Sequence, residues 1–190
     1  MKKLAALILV LLLVLPMTVL AEEPAEATAE TVTEIITWEN MTAQEEIGKY
    51  AAYGSFIKLD KLGLTMWLRD GLTEKEAQEP VVYYFADPTD GTGVTVFLEE
   101  IEGVNTTDRE ALLQYVRENL DPEARASEIN GLYCINYTLG ADDLMQALLT
   151  FPAGEGRVLT FVFEPFQQGM SSDSIAILLM AASIQEIPAE

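Results

Sequence analysis

The sequence predicts an α+β fold in which a largely antiparallel sheet is packed between helices, as an α/β/α sandwich. Strand-like segments of alternating apolar and polar residues occur as neighbouring pairs, joined by short links rich in Gly, Asn and Asp. Links of this kind join antiparallel strands, whereas parallel neighbours need a long crossover. Helical apolar stripes occur before, between and after two runs of four strands. The helices are therefore expected to cover the faces of the sheet.

Residues 1–21 have the pattern of a secretory signal peptide. Lys2 and Lys3 precede an unbroken apolar run over 4–15, and a proline and small residues up to Ala21 follow. A basic start, an apolar middle and a small-residue exit define such a signal, whereas a membrane span needs roughly 20 apolar residues. An uncleaved membrane anchor is the alternative, and the lack of a cysteine near Ala21 argues against lipid anchoring. We expect a secreted or extracytoplasmic protein with no membrane attachment after cleavage.

The remaining chain divides into a tail and one domain. Residues 22–34 consist mostly of Ala, Glu and Thr, and so little apolar surface cannot offset the entropy of ordering, which predicts a disordered acidic tether. Residues 35–187 suit a single domain whose core needs no disulfide staples. Cys134 is the only cysteine. Its apolar neighbours indicate a small buried hydrophobe rather than a reactive thiol.

The first half predicts one helix followed by two strand pairs. A capping box that begins at Thr42 predicts a helix over 43–51, and a second box from Thr73 predicts one further helical turn. The Gly-rich link over 87–93 has the residues of a tight turn between strands. The predicted strands of this half cover 56–59, 64–69, 81–86 and 94–101.

The second half repeats this order. A third capping box from Thr107 predicts a helix that ends near Leu120. Asn130 and Gly131 stand between two strand-like runs, and this dipeptide favours a type I′ hairpin turn because both residues tolerate positive φ. A final helix over 173–186 is apolar on most of its surface, which predicts deep burial. The predicted strands of this half cover 124–129, 132–139, 142–151 and 157–164.

Composition excludes several classes of function. The chain has 11 Lys and Arg against 31 Asp and Glu, for a formal net charge of −20. Such a surface repels phosphate backbones, because affinity for nucleic acid comes mainly from basic side chains. The chain contains no histidine, so it lacks the commonest general base and the commonest transition-metal ligand.

Carboxylates are abundant, but the sequence gives no sign that they converge. Acid–base catalysis by carboxylates needs two of them across one cleft with separated pKa values. Oxygen ligands for a weak calcium site occur from Asp87 to Gly93, although the spacing is not that of an EF-hand, and an ordinary acidic turn is the alternative. We predict no catalytic residue, cofactor or resident metal. The candidate pairs are Asp87 with Asp90, Asp142 with Asp143, and Glu99, Glu100 and Glu102.

Trp67 and Phe97 are the candidate binding residues. In the strand over 64–69, Trp67 shares the less apolar face with Thr65 and Arg69. Phe97 could occupy a similar place on a neighbouring strand. Exposed aromatic side chains on a rigid sheet are good anchors for a partner. The competing interpretation is that a helix covers both rings.

Several segments resemble the Mog1/PsbP-like superfamily, in particular its small secreted bacterial proteins of unknown function. The most specific marks are Ile129-Asn-Gly-Leu132 and the closing Ala182-Ser-Ile-Gln185, supported by Met66-Trp67-Leu68. The resemblance covers roughly residues 53–185. It implies an antiparallel sheet packed between helices. It implies no catalytic activity, since members of the superfamily act as binding or assembly factors.

The function expected from the sequence is that of an exported, non-enzymatic binding or assembly domain. Its ligand is expected to be a protein or peptide, and the chain is expected to act as a monomer. The reason is a complete core without an assembled catalytic set. The alternative is a carboxylate-based hydrolase or a cation-dependent enzyme, built without histidine.

Overall fold

Alternating apolar residues form strands at nearly all the predicted positions. The structure is a computed structural model that describes residues 34–140, 145–165 and 172–187. The strands are β1 (Glu34–Ile36), β2 (Gly54–Leu59), β3 (Leu64–Arg69), β4 (Thr73–Glu74), β5 (Val81–Ala86), β6 (Gly93–Glu100), β7 (Arg125–Ile129), β8 (Leu132–Leu139), β9 (Gln146–Pro152), β10 (Arg157–Glu164) and β11 (Gln185–Glu186). The α-helices are α1 (Trp38–Thr42), α2 (Glu45–Gly48), α3 (Arg109–Asn119) and α4 (Ser172–Ala182), and 3-10 turns cover Lys49–Ala52 and Asp60–Leu62.

Eight strands of the described chain form one large sheet. Their order is β1-β7-β8-β9-β10-β6-β5-β4. Every neighbouring pair in it is antiparallel except β1 with β7, which is parallel. The predicted α+β fold with a largely antiparallel sheet is confirmed.

A second, three-stranded sheet was not predicted. Its order is β11-β3-β2, so the β2–β3 hairpin is separate from the large sheet instead of opening its first run of strands. The reason lies at the other edge of β3, where Gln185 pairs with Thr65 and Glu186 with Leu64. This two-residue strand occupies the edge that a large-sheet strand would otherwise use.

The two faces of the large sheet bury different clusters. Helix α3 packs Leu112, Leu113 and Val116 on one face. The other face carries the larger cluster, in which residues of α4 such as Leu179 join β3 and the central strands. The prediction of a sheet between helices is therefore correct, with the small sheet sharing the second layer with α4.

Helix α4 is buried as predicted, but it is shorter than predicted. It ends at Ala182, not at residue 186. Ser183, fully buried, donates its hydroxyl to the carbonyl of Met180 (2.7 Å) and accepts from the amide of Trp67 (2.8 Å). The serine hydroxyl thus accepts the backbone hydrogen bond that a neighbouring strand would otherwise accept from β3. The chain continues from Ser183 into β11.

Asn130 forms the predicted hairpin turn and also connects distant segments. Asn130 and Gly131 both have positive φ, of 47° and 86°, as a type I′ turn requires. The Asn130 side-chain oxygen accepts from the amide of Trp38 (3.0 Å), and its amide group donates to the carbonyls of Ala182 and Ile184 (both 2.8 Å). The two marks of the superfamily resemblance are therefore in direct contact.

The predicted capping boxes are wrong in detail. Helix α1 is capped by Thr37, which accepts from the amide of Asn40, whereas the Thr42 hydroxyl donates back to a carbonyl inside α1. Thr73 lies in β4, not at a helix start. Helix α3 is capped by Asp108, one residue after the predicted Thr107. Local competitors, Thr37 and Asp108, displace the first and third predicted caps, whereas Thr73 pairs with Ala86 of β5 instead.

Three predictions fall outside the described residues. These are the signal peptide over 1–21, the tether up to residue 33, and the Asp142 and Asp143 pair at the predicted start of β9. Glu34, the last residue of the predicted tether, belongs to β1. Among the helices that the structure describes, none is both long enough and apolar enough to cross a bilayer.

Candidate binding cavity

An apolar cavity of about 350 Å³ lies between α4 and the larger-cluster face of the sheet, and we call it the α4 cavity. Helix α4 contributes Ile177, Leu178, Ala181 and Ala182 to its wall. The volume is near the lower end of the range for small-ligand pockets, which is roughly 300 to 1,000 Å³. It can hold one or two large side chains or a small apolar molecule.

The floor of the α4 cavity is formed by strands β7 to β10. Because side chains alternate across a strand, Ala147 and Leu149 of β9 point to the same face, together with Ile129 of β7 and Phe163 of β10. Ala147 is small where its neighbours are large. It leaves space on the sheet opposite Ala181 and Ala182, where α4 is also small.

The mouth of the α4 cavity carries polar groups. Asp121, Glu123 and Arg125 line it, together with Asn136 of β8. Asp121 is fixed by the backbone amides of Glu123 (2.9 Å) and Thr138 (3.1 Å), which donate to its two carboxylate oxygens. The mouth has two carboxylates and one guanidinium, so it favours a cationic or neutral group beside an apolar one.

Glu34 stands next to this mouth and is the most perturbed carboxyl group in the described chain. It lies opposite Ser127 in the β1–β7 pair, and the Ser127 hydroxyl accepts from the side-chain amide of Asn136. One Glu34 carboxylate oxygen is buried and has no hydrogen-bond partner. Burial raises the pKa of Glu34 to about 7, although the positive charge of Arg125 partly opposes this shift.

Trp67 does not have the exposed surface that the binding interpretation needs. It is only 2% exposed, because the ring of Trp38 packs on it at 6.0 Å and its indole N–H donates to the carbonyl of Ala51 (3.2 Å). Phe97 is half-buried and packs with the α3 cluster. The competing interpretation, that helical elements cover these rings, agrees with the structure.

The turn from Asp87 to Gly93 holds an arginine between its carboxylates. Arg69 contacts Asp87 (2.9 Å) and Asp90 (2.7 Å), and also Asp173 of α4 (3.1 Å). A guanidinium at the centre of these oxygens takes the place that a cation would occupy. No group of three or more acidic or cysteine side chains placed to hold a metal ion occurs within the described ranges.

These aspartates are held ionised. Hydrogen bonds from the side chain and amide of Thr89 lower the pKa of Asp87 below its ordinary value. Burial alone would raise the pKa of Asp90, but donation from the Thr92 amide and from Arg69 outweighs it, so the pKa is lowered. The turn is thus an ion-paired structural feature, which matches the alternative of an ordinary acidic turn.

Cys134 is fully buried in the larger cluster. Burial raises the pKa of its thiol far above the ordinary range, and the carboxylates of Glu34 and Glu128 add to the effect. A thiol that stays protonated is a poor nucleophile. The predicted role as a small hydrophobe agrees with this environment.

Sequence reasoning missed the α4 cavity and Glu34. The only local signal for the cavity was a set of alanines at core positions, Ala147, Ala181 and Ala182, whose mutual approach depends on the tertiary fold. Glu34 was assigned to the tether because residues 22–34 are mostly Ala, Glu and Thr. Its parallel pairing with β7 joins residues about ninety positions apart.

Comparison with known proteins gives similarity of fold. No protein-family model matches the chain, and no curated protein matches it. A crystal structure of a protein from Bacteroides thetaiotaomicron VPI-5482 matches with a TM-score of 0.47 and 14% identity, over 72% of this chain and 49% of that one. The chain thus spans about half the length of that protein.

A solution structure of cyanobacterial PsbP (CyanoP) from Synechocystis sp. PCC 6803 also matches. The TM-score is 0.45 with 16% identity, over 72% of this chain and 94% of that one. The likeness concerns the fold alone.

Proposed function

We propose that this protein is an exported, non-enzymatic binding domain whose ligand is a protein or peptide. In this proposal the partner places one apolar side chain in the α4 cavity. The observation that carries the proposal is the cavity itself, an apolar space that opens beside charged groups. Burying one large apolar side chain contributes about 1.5 to 3 kcal/mol, which is enough for a hot spot of recognition.

The charges around the α4 cavity indicate which kind of peptide would bind. We expect a segment that has basic residues beside the apolar side chain that enters the cavity. Asp121 and Glu123 at the mouth outnumber Arg125, and the chain as a whole has a net charge of −20. An acidic surface attracts basic partners and speeds their association at low salt. An apolar anchor between Lys or Arg residues therefore complements both the cavity and its mouth.

Three blocked peptides test this proposal. Acetyl-Lys-Lys-Phe-Lys-Lys-amide is expected to bind at least about tenfold more tightly than the same peptide with Ser for Phe or with Glu for every Lys, a difference of about 1.4 kcal/mol. The measurement is titration by intrinsic fluorescence or NMR at low salt. Equal binding of all three peptides, or binding of none, would contradict the proposal.

A protein variant with a filled α4 cavity complements the peptide titrations. Ala181→Leu places extra carbon atoms in the α4 cavity and is expected to remove binding of the Phe peptide. Ala111→Leu adds the same atoms to a half-buried alanine of α3, on the opposite face of the sheet, and should leave binding unchanged. Circular dichroism of both variants establishes that the fold is retained.

Export is the part of the proposal that rests on residues 1–21. The basic, apolar and small-residue pattern there is the support. Intact-mass measurement of the protein from its native host should give a chain that begins at Glu22. A cell-associated protein that retains Met1 would support the uncleaved anchor instead.

A second candidate function, a carboxylate-based enzyme, is favoured by Glu34. A carboxyl group with a pKa of about 7 suits general acid or base catalysis near neutral pH, and Arg125, whose charge acts on Glu34, lines the mouth together with Asn136. If this hypothesis is correct, the protein turns over a substrate in a screen of esters, glycosides and amides, and Glu34→Gln abolishes that turnover. The binding proposal expects no turnover by either protein.

A further inference from the structure

A second concave surface, which we call the basic cleft, differs from the rest of this acidic protein. It has a volume of about 510 Å³ and lies where the small sheet meets the large sheet and the start of α3. Lys61, Arg109 and Arg157 line it, against a single carboxylate, Glu186. Acidic residues outnumber basic ones by 31 to 11 in the chain, so the charge ratio of the cleft is inverted.

Lys61 is positioned by a tyrosine. Its ammonium lies 5.1 Å from the centroid of the Tyr83 ring, and its backbone amide donates to the Tyr83 hydroxyl (3.0 Å). The ammonium also donates to the carbonyl of Val82 (3.4 Å). Ring and hydroxyl together hold both the backbone and the charge of this lysine.

Arg109 is positioned in the same way by a different tyrosine. Its guanidinium carbon lies 4.6 Å from the centroid of the Tyr133 ring, and the Tyr133 hydroxyl donates to the Arg109 carbonyl (2.9 Å). A cation over an aromatic face is held by the ring quadrupole. The same arrangement therefore occurs twice in one cleft, and it orders two long side chains before any ligand binds.

Arg157 completes the set from the start of β10. Its backbone amide donates a hydrogen bond to the Thr106 hydroxyl (3.2 Å). Glu100 is its neighbour across the β6–β10 pair. Nevertheless, within the described part of the chain, none of the three cations forms an ion pair with a carboxylate. Their charge is available to a ligand.

The floor of the basic cleft is apolar. Leu62 and Leu98 line it together with Leu132, Phe151 and Leu159, while the three cations are exposed. An anion without an apolar part would leave this floor in contact with water. An apolar molecule without charge would leave the cations without a partner.

We infer that the basic cleft binds a small amphipathic anion from solution, an apolar chain or ring that ends in a carboxylate or phosphate. The apolar part contacts the leucine floor, and the anionic group accepts hydrogen bonds from Lys61, Arg109 and Arg157. Charge-assisted hydrogen bonds of this kind are among the stronger polar contacts in proteins. Because two of the cations are already held over tyrosine rings, less side-chain entropy is lost on binding.

The probe is decanoate, and decanol is the uncharged control. Both are titrated into the Ala181→Leu protein, because its filled α4 cavity leaves the basic cleft as the site to be tested. Calorimetric titration should show that decanoate binds and decanol does not, with affinity that falls as salt increases. Arg109→Gln and Arg157→Gln should each weaken decanoate binding by about tenfold, as expected for loss of a hydrogen bond to a charged group. Lys75→Gln removes one exposed charge outside the cleft and should change binding little.

Equal affinity for decanol, or unchanged decanoate binding in the Arg109→Gln, Arg157→Gln double variant, would overturn the inference. Binding only to vesicles with anionic lipid would also overturn it, since the site would then recognise a membrane surface. Decanoate that binds the parent protein but not the Ala181→Leu protein would lie in the α4 cavity, which would also overturn the inference. The outcome of the peptide titrations does not depend on any of these results.

Discussion

Arg69 shows how one side chain can hold three elements together. It lies on β3 and contacts Asp87 and Asp90 of the β5–β6 turn and Asp173 of α4. Only 14% of its side chain is exposed, and its Nε atom is buried with no hydrogen-bond partner. Removal of the guanidinium would leave three carboxylates close together.

Arg69→Gln is expected to lower the midpoint of thermal unfolding by about 5 to 10 °C, because it leaves these carboxylates uncompensated. The lowered pKa of Asp90 adds a pH dependence, because Arg69 is one of the groups that lower it. The contribution of Asp90 to stability is present above the unfolded pKa near 4 and is lost as pH falls through the lower folded value. The variant should therefore lose less additional stability on acidification than the parent protein, as thermal unfolding at several pH values can show.

Lys49→Gln is the control for this prediction. Lys49 pairs with Glu46 on the surface, and exposed pairs contribute little. A midpoint shift as large as that of Arg69→Gln would contradict the structural role assigned to Arg69.

Asn130 is a second residue with more than one function in the fold. Asn130→Gly keeps the positive φ of the turn but removes its side-chain hydrogen bonds to Trp38, Ala182 and Ile184. We expect a loss of about 2 to 3 kcal/mol in the free energy of unfolding, measured with urea, because buried polar groups are left unpaired. Asn130→Ala adds backbone strain at positive φ and should cost about 1 kcal/mol more. Equal stability of Asn130→Gly and the parent would contradict the connecting role.

Glu34 makes stability depend on pH in the opposite direction from the aspartates around Arg69. Because its folded pKa is raised from 4.5 to about 7, its protonation stabilises the fold at low pH, and that contribution is lost as pH rises through 7. Glu34→Gln should be more stable than the parent at pH 8 and should lack the decline between pH 4.5 and 7. Glu102→Gln, at an exposed position, should retain it. Identical pH profiles of the Glu34 variant and the parent would contradict the burial of this carboxyl group.

At the scale of elements, a row of hydroxyl groups crosses the centre of the large sheet. Tyr137 of β8 contacts Thr150 of β9 (3.1 Å), and Thr150 contacts Thr160 of β10 (3.0 Å). All three residues are buried on the face that α3 covers. Each of these buried hydroxyl groups therefore relies on a neighbouring hydroxyl for its hydrogen bond.

Thr150→Val keeps the shape of the central residue and removes both contacts. The expected cost is about 1 to 2 kcal/mol in urea unfolding, because two buried hydroxyl groups lose a partner. Tyr137→Phe removes only the end of the row, so it should cost less. The reverse order would contradict the row as a unit.

Sequence reasoning succeeded where structure depends on near neighbours. Alternation placed β5, β8 and β10 at the residues that the structure gives, and Asn130-Gly131 formed its turn. It failed where long-range pairing decides. The strands β4 and β11 contain two residues each and exist only because β5 and β3 pair with them. Trp67 was placed on the correct face of β3, but the covering ring of Trp38 comes from a distant part of the sequence.

At the scale of the whole molecule, charge and shape point to two different kinds of ligand. The α4 cavity has an apolar interior beside a mouth with two carboxylates and one guanidinium, whereas the basic cleft has cations above an apolar floor. The two surfaces share no lining residue. If both proposals hold, this protein of net charge −20 binds cationic and anionic partners at separate surfaces.

The most direct test of the central proposal is to locate the Phe ring of the Lys-Lys-Phe-Lys-Lys peptide by NMR. We expect nuclear Overhauser contacts between the ring and the methyl groups of Ile177, Leu178 and Leu149, which line the α4 cavity. Ala181→Leu should remove these contacts. Contacts to any other surface, with the methyl groups of Ile177 and Leu149 unchanged at saturating peptide, would contradict the proposal.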